Sequence, residues 1–506
     1  MDLDENALPL TREQLRIWLA AEIGCSDTEW RLGNFLLIEG AVDADLLRQA
    51  IRQVVAEAEP LRAVFSEVDG QVFQQAVDYP DIEIPFHDLS SSADPVGEAY
   101  RLASPIQRAA MPLTGPLFRF ALFRTRPDQL YLFMCCHHIV IDGFGVVALI
   151  ANRIAVVYSA IAAGTPVPPA FFGSLRDLVA WELEYEASND YLDDLAYWTK
   201  NLPQENALGY PLPQSEGTCD ADSDFVAAPI QLDPSIVDRI ERLSQLLGVR
   251  RSSVITAACA LLVRGWASDG SQVVLDFPVS RRTTTESKSF PGMLAGVVPL
   301  ALQLTPESSV ADFCEYVHRR IGEVLRHQRF PVNVLENEGH GRGAGRASNR
   351  VGVNFIPSTT VLPFNGAPAR GAPTTSGFVS HFGLFFFGDG DRIFLSTTGG
   401  GRPFSNFDVA DLAARLEKVL AALVADPGRA LSSVDVLDGA EHASVARWGN
   451  RVALSVAAGS GVSIPVVFAA RVACAPEAVA LTCGERSWTY RQLDEVTNRL
   501  AHLLVG

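Results

Sequence analysis

With 506 residues, the chain is long enough for about two to four domains, and its 48% apolar and 20% charged residues argue against long disorder. The net charge of −18 argues against a nucleic-acid surface, because phosphate binding needs clustered Lys and Arg side chains. The eight cysteines show no metal-ligand spacing and the start lacks a signal peptide, which predicts a cytoplasmic protein with no bound metal.

The first half of the chain mixes helical and extended patterns. The opening helix is expected to bury Leu15, Trp18 and Leu19. The strand "LYLFMCCHH" is almost continuously apolar, which predicts a central strand covered on both faces. The next helix, about 145–163, is apolar but carries Arg153, so no membrane insertion is expected. The predicted elements are, in order, helix "REQLRIWLAAEIG", strand "FLLIEG", helix "DADLLRQAIRQVVAEAEPLRAVF", strands "QVFQQAVD" and "IEIPFHD", a helix near 93–110, strands "FRFALFRT" and "LYLFMCCHH", the 145–163 helix and one long helical region, "LRDLVAWELEYEASNDYLDDLAYWTKNL".

The second half repeats this style after a polar linker near 203–222, so two mixed α/β halves are expected, each a sheet with helices. The tail from 464 predicts a helix, a strand, a turn and another helix, too little for a full core. The elements before the tail are strand "DFVAAPIQL", helices "PSIVDRIERLSQLLG" and "RSSVITAACALLVRGWA", strands "QVVLDFPVS" and "VVPLALQL", helix "VADFCEYVHRRIGEVLRHQ", strands "NRVGVNFIP", "GLFFFGD" and "RIFLSTTG", and helix "NFDVADLAARLEKVLAALVAD".

The stretch "MCCHHIVIDGFG" holds the strongest functional signal. Neighbouring side chains on a strand point to opposite faces, so one of His137 and His138 can face the core while the other faces a channel. Asp142 is placed either to cap the following helix or to hold the site through a buried ion pair. A lone histidine here would more often be a satisfied core residue, but the adjacent pair at a strand–loop–helix junction favours catalysis.

"HHIVIDG" resembles the HHxxxDG motif of condensation domains of nonribosomal peptide synthetases, which are relatives of chloramphenicol acetyltransferase. Further family signatures follow in the right order over about residues 8–440, and "WTYRQL" at 488–493 resembles the first signature of an adenylation domain. These condensation signatures are "LTREQLRIW", "LRAVF" around Arg62, "SLRDLVAW", "GMLAGVVPL", "HQRFPVNVL" and "RASNRVGVNF".

The resemblance implies an α/β (two-layer α+β) fold in which two acetyltransferase-like lobes form a V-shaped pseudo-dimer around a central tunnel. The N-terminal lobe is expected at 1–180 and the C-terminal lobe at 181–440. A linker at 441–463 and the N-terminal fragment of an adenylation domain at 464–506 follow.

The resemblance also assigns the site residues. His138 is expected in the tunnel beside the reacting centre, with His137 structural. Asp142 is expected to pair with an arginine after a strand of the C-terminal lobe, either Arg282 or Arg281.

Two further residues follow from the same likeness. Gly143 lets the backbone approach the substrate, with its amide facing the developing oxyanion, and Arg62 supports the site. An α-amine has a pKa near 7.7–8.0, so supplying its neutral form saves only about 1 kcal/mol. His138 therefore fits a positioning group and proton acceptor better than a strong base.

The implied reaction is amide formation between an acyl or aminoacyl thioester on a donor carrier protein and the α-amine of an aminoacyl thioester on the downstream carrier. No cofactor is expected on this chain, since the phosphopantetheine arms belong to the carriers. The first signature begins close to Met1, which predicts a donor carrier supplied in trans and downstream adenylation and carrier domains as the other partners. Candidate arginines for a donor-docking patch are Arg12, Arg16, Arg101 and Arg108.

Several departures from the family pattern favour a starter or enterobactin-synthetase-like subclass, whose donors are acyl or aryl groups. "EAEPLR" replaces the usual Arg-His-Glu and "AGVVPL" lacks an asparagine; these two features, with "FGSLRDLVAWELEYEAS", resemble that subclass. Gly145, where serine is common, is a further departure from the family pattern. The alternatives are a carrier-dependent or stand-alone O- or N-acyltransferase and a non-catalytic recruitment domain. The loop "EGHGR" at 338–342 resembles an epimerase signature, but its position in the order disfavours epimerisation, and a heterocyclisation domain would carry aspartates in place of the histidines.

Overall fold

The computed structural model describes residues 7–22, 30–203, 229–266, 272–338, 350–356, 358–375, 382–399, 407–449, 463–484 and 486–505, which form two compact units, Met1–Val436 and Leu437–Gly506. The strands of the first unit are β1 Leu8–Pro9, β2 Arg31–Glu39, β3 Ala63–Val68, β4 Gln71–Ala76, β5 Phe86–Asp88, β6 Phe118–Arg126, β7 Gln129–His137, β8 Ile230–Gln231, β9 Gln272–Val279, β10 Gly296–Gln303, β11 Val351–Ile356, β12 Thr360–Phe364, β13 Ala367–Pro373, β14 Phe382–Asp389 and β15 Arg392–Thr398. Its helices are α1 Arg12–Glu22, α2 Ala44–Glu57, α3 Pro95–Arg108, α4 Asn152–Ala162, α5 Leu175–Glu186, α6 Asn189–Asn201, α7 Pro234–Leu247, α8 Arg251–Trp266, α9 Val310–Arg326, α10 Asn333–Glu338 and α11 Val409–Ala425.

The N-terminal lobe is built around a six-stranded sheet in the order β12-β13-β2-β7-β6-β5. Strand β7 lies between β2 and β6, and all nine of its residues are buried, as its apolar sequence predicts. The aromatic rings of Phe35 and Phe133 lie directly opposite each other across β2 and β7, with centroids 5.0 Å apart. The central strand that carries the histidine pair is thus fixed by the core on both faces.

The hairpin β12–β13 was not predicted, and it corrects the expected boundary between the lobes. It lies within 181–440 in sequence, but β13 pairs antiparallel with β2, for example Ala369 with Ile38. The N-terminal lobe therefore consists of the first part of the chain together with this returning hairpin. Backbone hydrogen bonds hold the hairpin at the open side of β2, and such long-range pairing leaves no local pattern in the sequence.

The C-terminal lobe has its own six-stranded sheet, in the order β10-β9-β11-β14-β15-β8. Strand β14 is apolar and buried from Phe382 to Gly388 because it lies inside this sheet, pairing parallel with β11 and antiparallel with β15. Buried residues of this sheet and of helices α7, α8, α9 and α11 form a second hydrophobic core, separate from that of the N-terminal lobe. Two mixed sheets with helices confirm the predicted α/β fold of two lobes.

Helix α1 buries a different face from the predicted one. Leu19 is 55% exposed, whereas Glu13, Gln14 and Ile17 are buried. The amide of Gln14 donates hydrogen bonds to Gln74 at 2.8 Å and to the carbonyl of Ile139 at 3.2 Å. The buried face of α1 is polar because it packs on the loop that follows the histidine pair, where it satisfies backbone groups.

Two predicted helices end earlier than expected. Helix α2, whose N-cap is Asp43, ends at Glu57, because Pro60 cannot continue a helix. A 3₁₀ turn, Glu59–Arg62, then leads into β3. The long helical region after 174 is two helices, since Ser188 caps a new start at α6.

The helix after the motif begins as a π-helix, Gly145–Ala151, and continues as α4. By length and composition alone, the combined segment Gly145–Ala162 could cross a bilayer. Helices α7 and α8 meet the same criterion only when they are taken together as one span bent by 108°. Most of Gly145–Ala162 is buried within the fold, and the Arg153 guanidinium pairs with Glu57 at 2.7 Å, so this helix reads as a core helix.

The second unit contains α12 Gly439–Trp448, α13 Ile464–Cys474, β16 Val479–Cys483, β17 Arg486–Thr489 and α14 Tyr490–Val505. Helix α12 corrects the predicted linker at its start, because Asp438 and Glu441 form a capping box there. Residues 450–462 of that linker lie outside the described residues, as do residues 204–228 and most of "EGHGR". None of the described residues of this unit is fully buried.

Candidate active site

The histidine pair lies where β7 ends. His137 is the last strand residue and is only 2% exposed, while His138 keeps part of its surface accessible. The backbone N–H of His138 donates to the Trp30 carbonyl at 2.7 Å, and the Nδ1 atom of His137 accepts the N–H of Ile139 at 3.2 Å. His137 thus supports the turn after the strand, and His138 is the member of the pair that remains accessible.

The imidazole of His138 lies against the C-terminal lobe. Its Nδ1 atom is 3.1 Å from the Sδ atom of Met293, a residue just before β10. Burial lowers the pKa of His138 to about 4, although the charge of Asp142 acts in the opposite direction. Although part of the residue reaches solvent, its ring is surrounded by protein atoms that desolvate the charged form. At neutral pH the imidazole is therefore neutral, with a lone pair available to accept a hydrogen bond, and it is a weak base.

Asp142 is fully buried and accepts hydrogen bonds from four groups. Its Oδ2 atom lies 2.6 Å from Nη1 of Arg282 and accepts the N–H groups of Leu294 at 3.1 Å and Ala295 at 2.9 Å. Its Oδ1 atom accepts the N–H of Gly145 at 2.9 Å. Burial alone would raise the pKa of Asp142, but Arg282 and these donors outweigh it and hold the pKa below its usual value. The aspartate ties the motif loop of one lobe to the other lobe.

The guanidinium of Arg282 is held at several points. Its Nη2 atom donates to the carbonyls of Phe290 and Gly292, both at 3.2 Å, and its Cζ atom lies 4.6 Å from the ring centroid of Phe144. The Phe144 ring is thus close enough for a cation–π interaction with the same arginine that binds Asp142.

The adjacent Arg281 has a different partner. It has a φ of +57°, the left-handed region, so its side chain diverges from that of Arg282. Its Nη2 atom lies 2.9 Å from the carboxylate of Glu13 in α1. Burial would raise the pKa of Glu13, but Arg16 and Arg281 outweigh it and lower that pKa to about 2. The two neighbouring arginines therefore make two separate ion pairs between the lobes.

An added Cβ atom would be crowded at two positions around these pairs and would have open space at a third. A Cβ atom at Gly145 would lie 2.6 Å from Cγ1 of Ile141, and one at Gly296 would lie 2.4 Å from Nη2 of Arg281. Both substitutions would crowd the supports of the site. Gly143 is exposed, and a Cβ atom there would meet no atom within 4 Å, so the loop is open on this side.

The structure brings together His138, Asp142 and Arg282, but it does not bring Arg62 to them. The Arg62 guanidinium hydrogen-bonds to the Val77 carbonyl at 2.6 Å and pairs with Asp78 at 2.5 Å. These contacts hold the segment after β4, and the support of the site by Arg62 stays a prediction.

Two residues of this region were not found from the sequence: Glu13 and Met293. Glu13 and Met293 lie inside the first and fifth signatures, so the signal was present, but nothing local shows that they face the motif loop. In the described part of the chain, no group of three or more His, Cys, Asp or Glu side chains is placed to hold a metal ion.

Of the four arginines predicted for carrier docking, Arg108 is the last residue of helix α3, and the other three form ion pairs with nearby carboxylates. Arg12 pairs with Glu186, Arg16 with Glu13, and Arg101 with Glu98. Arg101 is the most exposed of these three side chains, at 68%.

A comparison with protein families matches the condensation domain to residues 4–355, which include the motif loop and both arginines. The chain belongs to the condensation-domain family. Condensation domains of nonribosomal peptide synthetases are acyltransferases that form amide bonds, so an enzymatic domain with this chemistry is the expected reading of the site. The function predicted from the HHxxxDG motif is confirmed at this level.

Among curated proteins, the chain is similar to synthetases. It is 26% identical to the dimodular nonribosomal peptide synthase of Bacillus subtilis (strain 168) over 98% of the chain and 21% of that protein. It is 29% identical to the isonitrile lipopeptide synthase of Mycobacterium tuberculosis, over 99% of the chain and 20% of that protein. It is 25% identical to enterobactin synthase component F of Escherichia coli O157:H7, over 98% of the chain and 38% of that protein. The chain thus spans well under half the length of these relatives.

Solved structures give the same family. The first condensation domain of the calcium-dependent antibiotic synthetase, in complex with a substrate analogue, matches with a TM-score of 0.74 and 28% identity over 85% of this chain and 100% of that one. A mutant of the starter condensation domain of rhizomide synthetase, in complex with C8-CoA, matches with a TM-score of 0.72 and 26% identity over 85% of this chain and 98% of that one.

Proposed function

We propose that this domain joins an acyl or aminoacyl thioester, carried by a donor carrier protein, to the α-amine of an aminoacyl thioester on the downstream carrier protein. The observation that carries this proposal is the neutral imidazole of His138, a residue that keeps part of its surface accessible, on a loop held by the buried Asp142–Arg282 pair. The phosphopantetheine arms of the carriers bring both thioesters, and they enter a tunnel between the lobes.

In the reaction, the neutral amine attacks the thioester carbonyl, a C–N bond forms, the C–S bond breaks and the pantetheine thiol leaves. His138 accepts a hydrogen bond from the attacking amine and aligns it, because a group with a pKa of about 4 holds a proton too weakly to act as a strong base. The N–H of Gly143 faces the developing oxyanion, which the open space around this residue supports.

We also propose an acyl donor, as in starter domains, delivered in trans by a separate polypeptide. The departures "EAEPLR" and "AGVVPL" support the subclass, and so does the likeness to the starter condensation domain of rhizomide synthetase, whose solved complex contains C8-CoA. The similarity to enterobactin synthase component F points the same way.

The second unit is proposed to contain the opening of an adenylation domain. "WTYRQL" supports this, and helix α14 presents Leu500, Leu503 and Leu504 at 56–80% exposure, as expected of a helix that packs inside a larger fold. A reducing cytoplasm is proposed as the compartment, because all six cysteines in the described part of the chain are free thiols.

The direct test is reconstitution with loaded carriers. The protein is mixed with candidate acyl-loaded donor carriers and an aminoacyl-loaded acceptor carrier, and intact-protein mass spectrometry follows the mass of each carrier. Transfer of the acyl group to the acceptor, lost in His138→Ala, supports the proposal. Transfer to a hydroxyl acceptor in place of the amine, or efficient use of free acyl-coenzyme A without a donor carrier, contradicts it.

A further inference from the structure

The side chain of Met293 is in contact with the imidazole of His138. Its Sδ atom lies 3.1 Å from the Nδ1 atom of the ring. Met293 belongs to the segment before β10 of the C-terminal sheet, yet it is 3% exposed and packs within the hydrophobic core of the N-terminal lobe. The sulfur atom therefore meets the imidazole at a buried point between the lobes.

The main-chain neighbours of Met293 fix its position. On one side, the carbonyl of Gly292 accepts a hydrogen bond from Nη2 of Arg282 at 3.2 Å. On the other side, the N–H of Leu294 donates to Oδ2 of Asp142 at 3.1 Å. The buried pair of Asp142 and Arg282 thus holds the backbone on both sides of Met293, which limits where the sulfur atom can lie.

The chemistry of a thioether decides which form of the imidazole fits this contact. A neutral imidazole has a proton on one ring nitrogen and a lone pair on the other, whereas a thioether sulfur is a weak acceptor that has no proton to donate. A proton on Nδ1 gives an attractive N–H···S contact, but a lone pair on Nδ1 would face the lone pairs of sulfur. The contact with Met293 therefore favours the tautomer with its proton on Nδ1.

A second acceptor acts on the same ring. Burial lowers the pKa of His138, and a hydrogen bond to its own main-chain carbonyl acts against that shift. A carbonyl oxygen accepts and does not donate, so this bond also requires a ring N–H, and Nδ1 is the ring nitrogen nearer to the main chain. Both acceptors place the proton on Nδ1 and leave the lone pair on Nε2.

We propose that Met293 is a positioning residue that accepts the N–H of His138 Nδ1 and so keeps the lone pair of the imidazole on Nε2, where the attacking amine binds. The inference rests on the proposed function, because it assumes that the imidazole receives a hydrogen bond from an amine. The same contact opposes a 180° turn of the ring about its Cβ–Cγ bond, since such a turn would bring a C–H group to the sulfur atom in place of Nδ1.

The first test reads the tautomer directly and needs no activity. Met293→Leu keeps about the same volume but loses the sulfur acceptor, and such exchanges are usually tolerated in cores. In ¹⁵N-labelled histidine, a ring nitrogen with a lone pair and one with a proton resonate at well-separated frequencies. The signals of His138, one of nine histidines, are identified from their loss in His138→Gln. At pH 7 we expect the proton on Nδ1 in wild type and a mixture of both tautomers in Met293→Leu.

The second test is the rate of single-turnover amide formation with loaded carriers. The loss of one weak hydrogen bond shifts a tautomer ratio by about three- to tenfold, so the rate of Met293→Leu should fall by about two- to fivefold. It should fall by the same factor as the fraction of rings that keep the lone pair on Nε2. The carrier concentrations that give half of the maximal rate should stay the same, because the lost contact is made to the imidazole.

Met134→Leu is the matched control. Met134 is also buried, on β7, but it precedes His138 by four residues, which is about 13 Å along the strand. This variant should keep the ring signals and the rate of wild type. Replacement of the methionines by selenomethionine, which keeps an acceptor atom in the same place, should do the same.

Wild-type ring signals in Met293→Leu overturn the proposal, because the main-chain carbonyl would then be sufficient to fix the tautomer. A slower rate with unchanged ring signals also overturns it, since packing alone would explain the loss. A proton on Nε2 in wild type overturns it even if Met293→Leu does not fold. If the ring signals change as expected but wild type joins no amine acceptor to any loaded donor, the role of Met293 stands and the proposed function fails, which separates the two conclusions.

Discussion

The buried pair of Asp142 and Arg282 should be the strongest single electrostatic link between the lobes. Asp142→Ala leaves the Arg282 charge buried and also leaves the N–H groups of Gly145, Leu294 and Ala295 without their acceptor. Removing one partner of a buried ion pair costs about 3–5 kcal/mol, and the lost acceptor places this variant at the upper end.

Arg282→Ala should cost less, about 3 kcal/mol, because the carboxylate keeps its three backbone donors. The double variant no longer contains an unpaired charge, so its loss should be smaller than the two single losses together by about 2–3 kcal/mol. That difference is the coupling energy of the pair.

The assay is urea unfolding of wild type, both single variants and the double variant, followed by tryptophan fluorescence and by far-ultraviolet circular dichroism. The matched control is the Glu98–Arg101 pair on helix α3, whose arginine is 68% exposed and which should show a coupling below about 0.5 kcal/mol. A coupling for Asp142 and Arg282 no larger than that of the control would falsify the reasoning.

His138→Ala should reduce amide formation by about 10²- to 10⁴-fold with unchanged urea unfolding, and near-wild-type turnover by the folded variant contradicts this. Gly145→Ser should lower the free energy of unfolding by about 1–3 kcal/mol, since the new Cβ atom would lie 2.6 Å from Ile141, and an unchanged urea midpoint refutes the packing argument. Burial lowers the pKa of His138 to about 4 in the folded protein, whereas the ordinary pKa of histidine is near 6.5. As the pH falls below 6.5, the imidazole is therefore protonated in the unfolded chain before it is protonated in the folded protein. The free energy of unfolding of wild type should fall by roughly 3 kcal/mol by about pH 4. His138→Gln should flatten that acid limb, and parallel stability curves for the two proteins argue against it. Titration of an acyl-loaded donor carrier should give micromolar affinity that weakens as salt rises, and an affinity independent of salt tells against an electrostatic docking patch.

Local sequence patterns determined the elements that carry the site. The apolar run of β7 marks a central strand, because a strand covered on both faces must be apolar at every position. Strand alternation at His137 and His138 placed the two side chains on opposite sides, and the structure shows one buried and one accessible.

Only tertiary structure decided which arginine binds Asp142. Arg281 and Arg282 are adjacent and chemically identical, so the sequence does not distinguish them. The left-handed backbone conformation at Arg281 makes the two side chains diverge. Arg281 therefore pairs with Glu13, and Arg282 pairs with Asp142. The buried face of α1 was decided in the same way. The apolar residues of α1 predict one buried face, but the face that carries Glu13 and Gln14 is the buried one. It is buried because Gln14 bonds to Gln74 and Glu13 pairs with Arg281, residues that are distant in sequence.

The hairpin β12–β13 depends on the same kind of information. The hairpin joins the sheet of the other lobe through backbone hydrogen bonds to β2, which any residue except proline can donate. Sequence patterns encode hydrophobicity and local backbone preference over a few residues, whereas charge pairing, desolvation and strand addition are set by contacts that exist only after the chain has folded.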